Sequence, residues 1–305
     1  MSNIIKDIID RKADSLLIRK EAQRTELGIR SICVMYDDHS KDKNSGENIF
    51  IKNDSIHYRL FSLVHQYFLF LNQLNSSEVF LQEMNKEHPG KVMNFILDNP
   101  YFDKVELEVS SVFDSIIFHL MSVFDYLSHL IHYITITNKS NTKDWSSLMK
   151  SVNGSNNEFS NLEINNTILK INKEFVTNLF KYRSALIHDK RDKHTFSINH
   201  NSQTTLNIQI LSSKFSLKSF SLIRESVTEE QITIAFLSSW LIKQSFKEIE
   251  LLLDALRNEI LKNPNFEETL KNPKSGFTLI SYDSKTNEAK PASEKLWEEY
   301  KNASN

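Results

Sequence analysis

Apolar residues between positions 103 and 137 recur every three or four residues, the spacing that places side chains on one face of an α-helix. A first set consists of Val105, Val109, Val112, Ile116, Leu120, Val123, Leu127, Leu130 and Ile134. A second set widens this stripe over most of the helix circumference and consists of Phe113, Ile117, Phe124 and Ile131. Because such a helix must be packed on several sides, the pattern predicts the central helix of a bundle.

The same spacing predicts three further long helices. Two of them begin at capping boxes, in which a Ser or Thr is followed three residues later by Glu or Gln. The three run over residues 54 to about 84, from the box of Ser160 and Glu163 to about His188, and from the box of Thr228 and Gln231 to about Lys262. The central helix is expected to start near Pro100, because proline is tolerated in the first helical turn.

After the second of these helices the period changes from helical to alternating. Residues 195–199 and 205–210 alternate apolar and polar side chains around a turn at 201–203, which predicts a β-hairpin. Residues 215–222 are expected to add a third strand. Because two or three strands bury little surface alone, we expect this small sheet to lie against the bundle, beside the end of the preceding helix.

These patterns divide the chain into three segments: 1–53, a helix followed by a loop; 54–262, a helical bundle that carries the hairpin at about 194–222; and 263–305, a tail. Within the first segment, residues 29–36 are interpreted as a short strand. A small helix is expected around Trp145, inside a polar stretch. The tail is expected to contain an extended piece near 277–282 and a last helix near 293–300.

Composition favours a mostly helical, soluble protein. Five Gly and five Pro in 305 residues are too few for turn-rich sheet architectures, and 40% apolar residues suffice for a core. Cys33 is the only cysteine, which excludes an intramolecular disulfide and favours a reducing compartment. Lys6 and Asp7 interrupt the apolar residues at the N-terminus, which is not typical of a secretion signal. Asp114 and Asp125 indicate that the central helix is buried rather than membrane-spanning. We therefore expect a cytoplasmic protein without membrane contact.

The charges are unevenly distributed along the chain. Residues 181–224 contain eight Lys and Arg against two Asp, a net charge of +6, within a chain whose net charge is −2. A basic region on an otherwise acidic chain is expected of a site for a polyanion. The alternative interpretation is a solvated loop whose cations keep it soluble.

The candidate for phosphate chemistry in this basic region is an arginine and a histidine at the end of a predicted helix. Arg183 and His188 are separated by four residues, and the charged run 189–194 follows at once. In a continuous helix their side chains point about 140° apart, so they can meet only if the helix ends there or a second copy contributes. A similar spacing separates Arg59 and His65 within an ordinary amphipathic helix, so context must distinguish the two.

Residues 182–188, together with the central helix around residues 120–127, resemble the HEPN superfamily of small helical bundles. Its signature is an Arg, four to six residues, and then a His, with Asn or Asp commonly following the Arg. Ser184 stands at that position here. The resemblance covers about residues 100–260 and implies a HEPN-like helical bundle, with the hairpin or three-stranded sheet inserted after the helix that carries the motif.

Catalytic HEPN proteins are metal-independent endoribonucleases whose cleft forms between two protomers. The roles implied by the resemblance are acid/base for His188, transition-state cation for Arg183, positioning for Ser184 and Asp125, and contact with RNA phosphates for Lys190, Arg191 and Lys193. It implies no metal and no cofactor. The implied partners are RNA, a second copy and an antitoxin or regulatory protein, in a toxin or phage-defence setting.

The competing interpretation is a non-catalytic HEPN-like binding or scaffold protein, in which Arg183 pairs with a carboxylate such as Asp125 and His188 caps the helix end. A polar strip on the central helix bears on this choice, and consists of Ser115, His119, Ser122, Tyr126 and His129, with Asp125 and His132 beside it. The strip either faces the Arg and His of the later helix or contacts solvent while its histidines are satisfied in the core. No glycine-rich phosphate loop, HExxH motif or nucleophile elbow indicates another enzyme class.

Overall fold

The structure, a computed structural model, describes residues 5–39, 49–89, 100–136, 144–154, 157–188, 192–202, 205–262, 280–283 and 288–303. The described helices are α1 (Arg11–His39), α2 (Ile49–Glu87), α3 (Pro100–Thr135), α4 (Trp145–Asn153), α5 (Ile164–Ile171), α6 (Thr177–His188), α7 (Lys214–Ser219), α8 (Ile234–Lys262) and α9 (Ala292–Asn302). A π-helical turn, Asn172–Val176, joins α5 to α6, and a 3₁₀ turn, Ser221–Glu225, follows α7. The prediction of a mostly helical protein is confirmed.

Short strands accompany these helices in pairs. They are β1 (Ile5–Lys6) parallel to β4 (Gln231–Ile232), β2 (Thr195–Ser202) antiparallel to β3 (Thr205–Leu211), and β5 (Ile280–Asp283) antiparallel to β6 (Glu288–Pro291). The predicted hairpin is therefore confirmed as β2–β3. The expected strand and helix of the tail correspond to β5 and α9, and the small helix expected around Trp145 is α4.

The chain forms two compact units that each collect three stretches of sequence. Unit 1 consists of Met1–Ile18, Ser62–Met121 and Glu174–Lys243, and unit 2 of Arg19–Phe61, Ser122–Lys173 and Gln244–Asn305. The boundaries fall within helices: α1, α3 and α8 run from unit 1 into unit 2, whereas α2 and the α5–α6 pair run from unit 2 into unit 1. Each unit thus draws on all of the long helices, a division that differs from the three segments drawn from sequence.

Helix α3 contributes to the core of both units. Its buried apolar residues in unit 1 are Val105, Val109, Phe113, Ile116, Ile117, Leu120 and Met121, and those in unit 2 are Val123, Phe124, Leu127, Leu130 and Ile131. By length and composition it is the one described helix that could cross a membrane. Most of its apolar residues are buried, although Leu107 is 52% exposed.

In unit 1 an ion pair holds the hairpin by its backbone. The Glu78 carboxylate accepts a hydrogen bond from the Ile208 N–H of β3 at 2.9 Å, and Arg11 donates to the same carboxylate at 2.8 and 2.9 Å. The Arg11 guanidinium also donates to the Ile208 carbonyl at 3.5 Å. These side chains satisfy backbone groups that a neighbouring strand would otherwise pair, so the hairpin lies against α1 and α2 as expected.

Two strand predictions, for residues 29–36 and 215–222, are wrong because both segments are helical. Residues 29–36 belong to α1, in which Ile29, Ile32 and Cys33 are buried at helical spacing. Residues 215–222 form α7 and the 3₁₀ turn instead of a third strand. The Ser213 hydroxyl accepts the Ser216 N–H at 2.9 Å and thereby caps α7, a local signal that overrides the apolar run.

Neither predicted capping box starts its helix. Helix α5 begins at Ile164 without a side-chain cap from its own chain neighbours, and the Ile164 N–H donates to the Glu259 carboxylate of α8 at 3.0 Å. Helix α8 begins at Ile234, where the Thr233 hydroxyl accepts the Phe236 N–H at 3.1 Å. Residues 231–232 pair with β1 instead of entering the helix. A tertiary contact replaces the predicted box at the start of α5, whereas a local cap later in the sequence, Thr233, replaces it at the start of α8.

Within unit 2, α9 packs against α1 and α8 by a close approach at Gly28. A Cβ atom added there would lie 2.9 Å from the Leu253 side chain and 3.1 Å from the Tyr300 ring. The Ser31 hydroxyl donates to the Ser293 carbonyl at 2.7 Å, which fixes the start of α9. Glycine is therefore required at position 28 by space, even though it is a poor helix former.

We expect Gly28→Ala to destabilise the protein by about 1–3 kcal/mol, because the overpacking exceeds the gain of about 1 kcal/mol in helix propensity. Urea unfolding of wild type and variant measures the difference. In a Leu253→Ala background the nearest contacting atom is absent, so Gly28→Ala should lose part of its effect. An equal loss in both backgrounds would contradict this explanation.

Candidate functional site

Helix α6 carries the two residues of the candidate motif, both in unit 1. Arg183 is half-buried, and its guanidinium carbon lies 5.4 Å from the centre of the Phe118 ring on α3. His188 is exposed and is the last residue of α6, so the predicted helix end is confirmed. Arg183 thus contacts the body of unit 1, whereas His188 faces solvent.

The regular helix keeps these two side chains apart within one chain. Because α6 is continuous from Thr177 to His188, Arg183 and His188 point about 140° apart around its axis. Ser184, which is half-buried, lies one turn before His188 and shares its side of the helix. The structure therefore brings Ser184 towards His188 and leaves Arg183 on a different side.

The other predicted site residues are distributed over the molecule. Lys193 is exposed in unit 1, shortly after α6. Lys190 and Arg191 lie outside the described residues. Asp125 belongs to unit 2, where its carboxylate accepts the Trp145 N–H at 3.0 Å and so holds the start of α4. The pairing of Arg183 with Asp125 stays a prediction.

A buried polar cluster that the sequence did not reveal lies just after α6. The Asp192 carboxylate, 8% exposed, accepts hydrogen bonds from the Tyr182 hydroxyl at 2.6 Å and from the Ser213 hydroxyl at 2.8 Å. His194 is also buried, with its Nε2 4.0 Å from Asp192 Oδ2 and its ring edge-on to Phe113 at 5.3 Å. Through this cluster, Asp192, four residues after His188, is held against α6 and the start of α7.

Sequence reasoning placed Asp192 and His194 within a charged run and did not single them out. Their partner Tyr182 looked like one more apolar position of α6. Burial and the nearby charges of Asp192 and Asp114 raise the pKa of Tyr182, so its hydroxyl stays protonated and donates to the carboxylate. No pattern in the sequence around residues 192–194 singled out this cluster.

The polar strip of α3 is half-buried from Ser115 to His129, and His132 beside it is buried. The His132 Nε2 lies 3.8 Å from the Glu158 carboxylate in unit 2. Burial lowers the pKa of His132, although the charge of Glu158 acts in the opposite direction. His132 is therefore a satisfied core histidine that is neutral when the chain is folded at neutral pH.

In the part of the chain that the structure describes, no group of three or more His, Cys, Asp or Glu side chains could hold a metal ion. Comparison of the chain with protein-family models, with curated proteins and with solved structures found no match. The HEPN resemblance and the roles it implies therefore stay predictions that depend on this chain's own residues.

We expect Tyr182→Phe to destabilise unit 1, because it leaves the buried Asp192 carboxylate with one donor fewer, at a cost of about 1–3 kcal/mol. Urea unfolding at unchanged m-value measures the loss. Tyr58→Phe removes the same atom from a ring that is 63% exposed and should have little effect. Equal losses in the two variants would contradict the role given to the Tyr182 hydroxyl.

We expect acid to destabilise the folded protein partly through His132. The unfolded chain has a His pKa near 6.5 and the folded chain a lower one, so the unfolded state binds more protons between these two values. Stability should therefore fall as the pH drops below about 6.5, and less so in His132→Gln. Urea unfolding between pH 7 and pH 5 measures the slope, with the exposed His65→Gln as control. An unchanged slope in His132→Gln would disprove the assignment.

Proposed function

We propose that the protein is a metal-independent endoribonuclease of HEPN type that acts at the C-terminal end of α6. The observation that supports it most directly is an exposed His188 at the last position of the helix that also carries Arg183. Exposed cations of unit 1 lie before and after it in sequence, at Lys181 and Lys193. They supply a positive environment for a polyanionic substrate.

The chemistry requires a base for the 2′-hydroxyl, a cation for the charge that develops on phosphorus oxygens, and an acid for the leaving oxygen. Histidine exchanges protons near neutral pH, so an accessible His188 can act as base or acid. The Arg183 guanidinium stays protonated and provides planar N–H donors for phosphate oxygens. Ser184, on the same side as His188, can hydrogen-bond the substrate or the imidazole.

A second copy of the chain completes the site in this proposal. One helix cannot direct Arg183 and His188 to one point, but two copies related by a two-fold axis can each contribute one of them. The exposed side of α6 supports such pairing, because Phe180 and Ile187 are 45% and 51% exposed and, seven residues apart, share one face of the helix. Large apolar side chains on a polar helix face are typical of surfaces that contact another protein.

This proposal carries further expectations about the setting of the protein. RNA is the substrate, and an antitoxin or another regulatory protein is the expected partner in a toxin or phage-defence role. The protein works in the cytoplasm without a cofactor. Ser184 replaces the usual Asn or Asp and still offers a hydroxyl for positioning.

The second candidate function is a non-catalytic HEPN-like binding or scaffold protein. The contact of the half-buried Arg183 with the Phe118 ring favours it, because a guanidinium used for packing is less available to a substrate. Under this proposal His188 interacts with the final carbonyl groups of α6 and stabilises the helix end.

We expect the purified protein to cleave single-stranded RNA in the presence of EDTA. His188→Ala should slow cleavage about 10²–10⁴-fold, because it removes the proton-transfer group. Arg183→Lys keeps the charge but loses the planar donors and should be slower than wild type. Gel analysis of a labelled RNA gives the rates, and circular dichroism verifies that each variant is folded.

His65→Ala is the matched control, since His65 is exposed on α2 in the same unit and follows Arg59 at a similar spacing. It should cleave at the wild-type rate. Activity per molecule should also rise with protein concentration if two copies form the site. No cleavage by wild type, or equal cleavage by His188→Ala, would favour the binding function instead.

A further inference from the structure

Unit 2 contains a row of cations placed on tyrosine rings. The Lys52 ammonium of α2 lies 5.2 Å from the centre of the Tyr133 ring of α3. Two turns further along α2, the Arg59 guanidinium carbon lies 5.3 Å from the ring of Tyr58 and 5.4 Å from that of Tyr126. We call these five residues, Lys52, Tyr58, Arg59, Tyr126 and Tyr133, the cation–tyrosine strip.

Within the described part of the chain, Arg59 has a buried N–H donor without an acceptor. Its Nε is buried without a hydrogen-bond partner, and no carboxylate in the described residues pairs with its guanidinium. Two other arginines of unit 2 also lie over aromatic rings, but both are ion-paired: Arg24 with Glu250 at 3.1 Å and Arg257 with Glu294 at 2.9 Å. The difference shows that a ring contact alone is not the usual way this unit satisfies an arginine.

The carboxylates closest to the strip in sequence have identified interactions of their own. Asp125, which precedes Tyr126, accepts the N–H of Trp145 at the start of α4. The charge of Asp54, which lies between Lys52 and Tyr58 in sequence, acts on the buried Cys33 of α1 and raises the pKa of its thiol. His129 adds a further nitrogen-bearing ring, 5.7 Å from that of Tyr126. The strip is therefore a cationic and aromatic surface.

We propose that the cation–tyrosine strip binds single-stranded RNA. Arg59 is half-buried, and a guanidinium that lies over aromatic rings can still present planar N–H donors at its outer end to phosphate oxygens. Tyr58 is 63% exposed, so its ring is accessible to a base. Cations beside exposed aromatic rings are the combination by which proteins hold single strands without reading their sequence.

The spacing of the two cations suits an extended strand. Lys52 and Arg59 are seven residues apart on one helix, a rise of about 10 Å, so a strand that follows α2 can present separate phosphates to them. A duplex keeps its bases stacked inside and offers none to Tyr58, so the strip should prefer single strands. The proposal requires binding alone and goes beyond the cleavage proposed for Arg183 and His188.

The test measures the binding of a fluorescein-labelled 15-nucleotide oligouridine by fluorescence anisotropy. All proteins carry His188→Ala, so the RNA remains intact whether or not the chain is a nuclease. Arg59→Gln and Lys52→Gln should each raise Kd about tenfold and lower the slope of log Kd against log salt by about 0.7. Tyr58→Ala should weaken binding about fivefold or more through lost stacking.

Arg30→Gln is the matched control, because Arg30 is an exposed cation of unit 2 on α1 and lies over no ring in the described residues. It should leave Kd within twofold of the parent. If Arg59→Gln alters the fold as judged by circular dichroism, the exposed Tyr58→Ala decides the outcome. Wild-type affinity in Tyr58→Ala, or an equal loss in Arg30→Gln, would overturn the proposal.

A 15-base-pair duplex of matching length distinguishes stacking from general charge attraction. Tighter binding of the single strand supports the strip as an RNA site, whereas equal binding of the duplex overturns it. Failure of the nuclease and failure of the strip are separable by these readouts. If changes in the strip weaken RNA binding but the wild-type protein does not cleave RNA, only the nuclease proposal is rejected.

Discussion

Enclosure of α3 from several sides is the constraint on which both units depend. Buried apolar residues from Val105 to Ile131 lie around most of the circumference of α3, so other parts of the protein must cover this helix on several sides. Because α3 passes from one unit to the other, the same helix organises two cores. The groups proposed for chemistry and binding accordingly lie at a helix end, as His188 does, or along the side of a helix, as the cation–tyrosine strip does.

The end of α6 illustrates how packing and chemistry are combined. Tyr182 is at once a core residue of this helix and the donor that fixes the Asp192 carboxylate. The hairpin that follows is held by the Glu78 carboxylate. The exposed His188 therefore lies in sequence between two elements that are held by buried or paired side chains, helix α6 and the β2–β3 hairpin. This arrangement suits either a catalytic group or a contact point.

Periodicity was sufficient to predict the long helices, the β2–β3 hairpin and the end of α6, because these follow from local spacing of apolar residues. Helix starts were harder to predict, since the Ile164 N–H is satisfied by Glu259, 95 residues away. The same limit applies to function. Arg183 and His188 share a recognisable spacing, whereas the bond from Ser213 to Asp192 and the contact of Arg59 with Tyr126 join residues distant in sequence, which no local pattern encodes.

The π-helical turn Asn172–Val176 has a consequence for α6, the helix that follows it. Such a turn accommodates one residue more than a regular helix, so α5 and α6 each keep their own rotational register on either side of it. Trp145 binds Asn172 within this turn by a hydrogen bond of 3.0 Å. The extra residue in this turn therefore sets which side of α6 carries His188, independently of the register that packs α5.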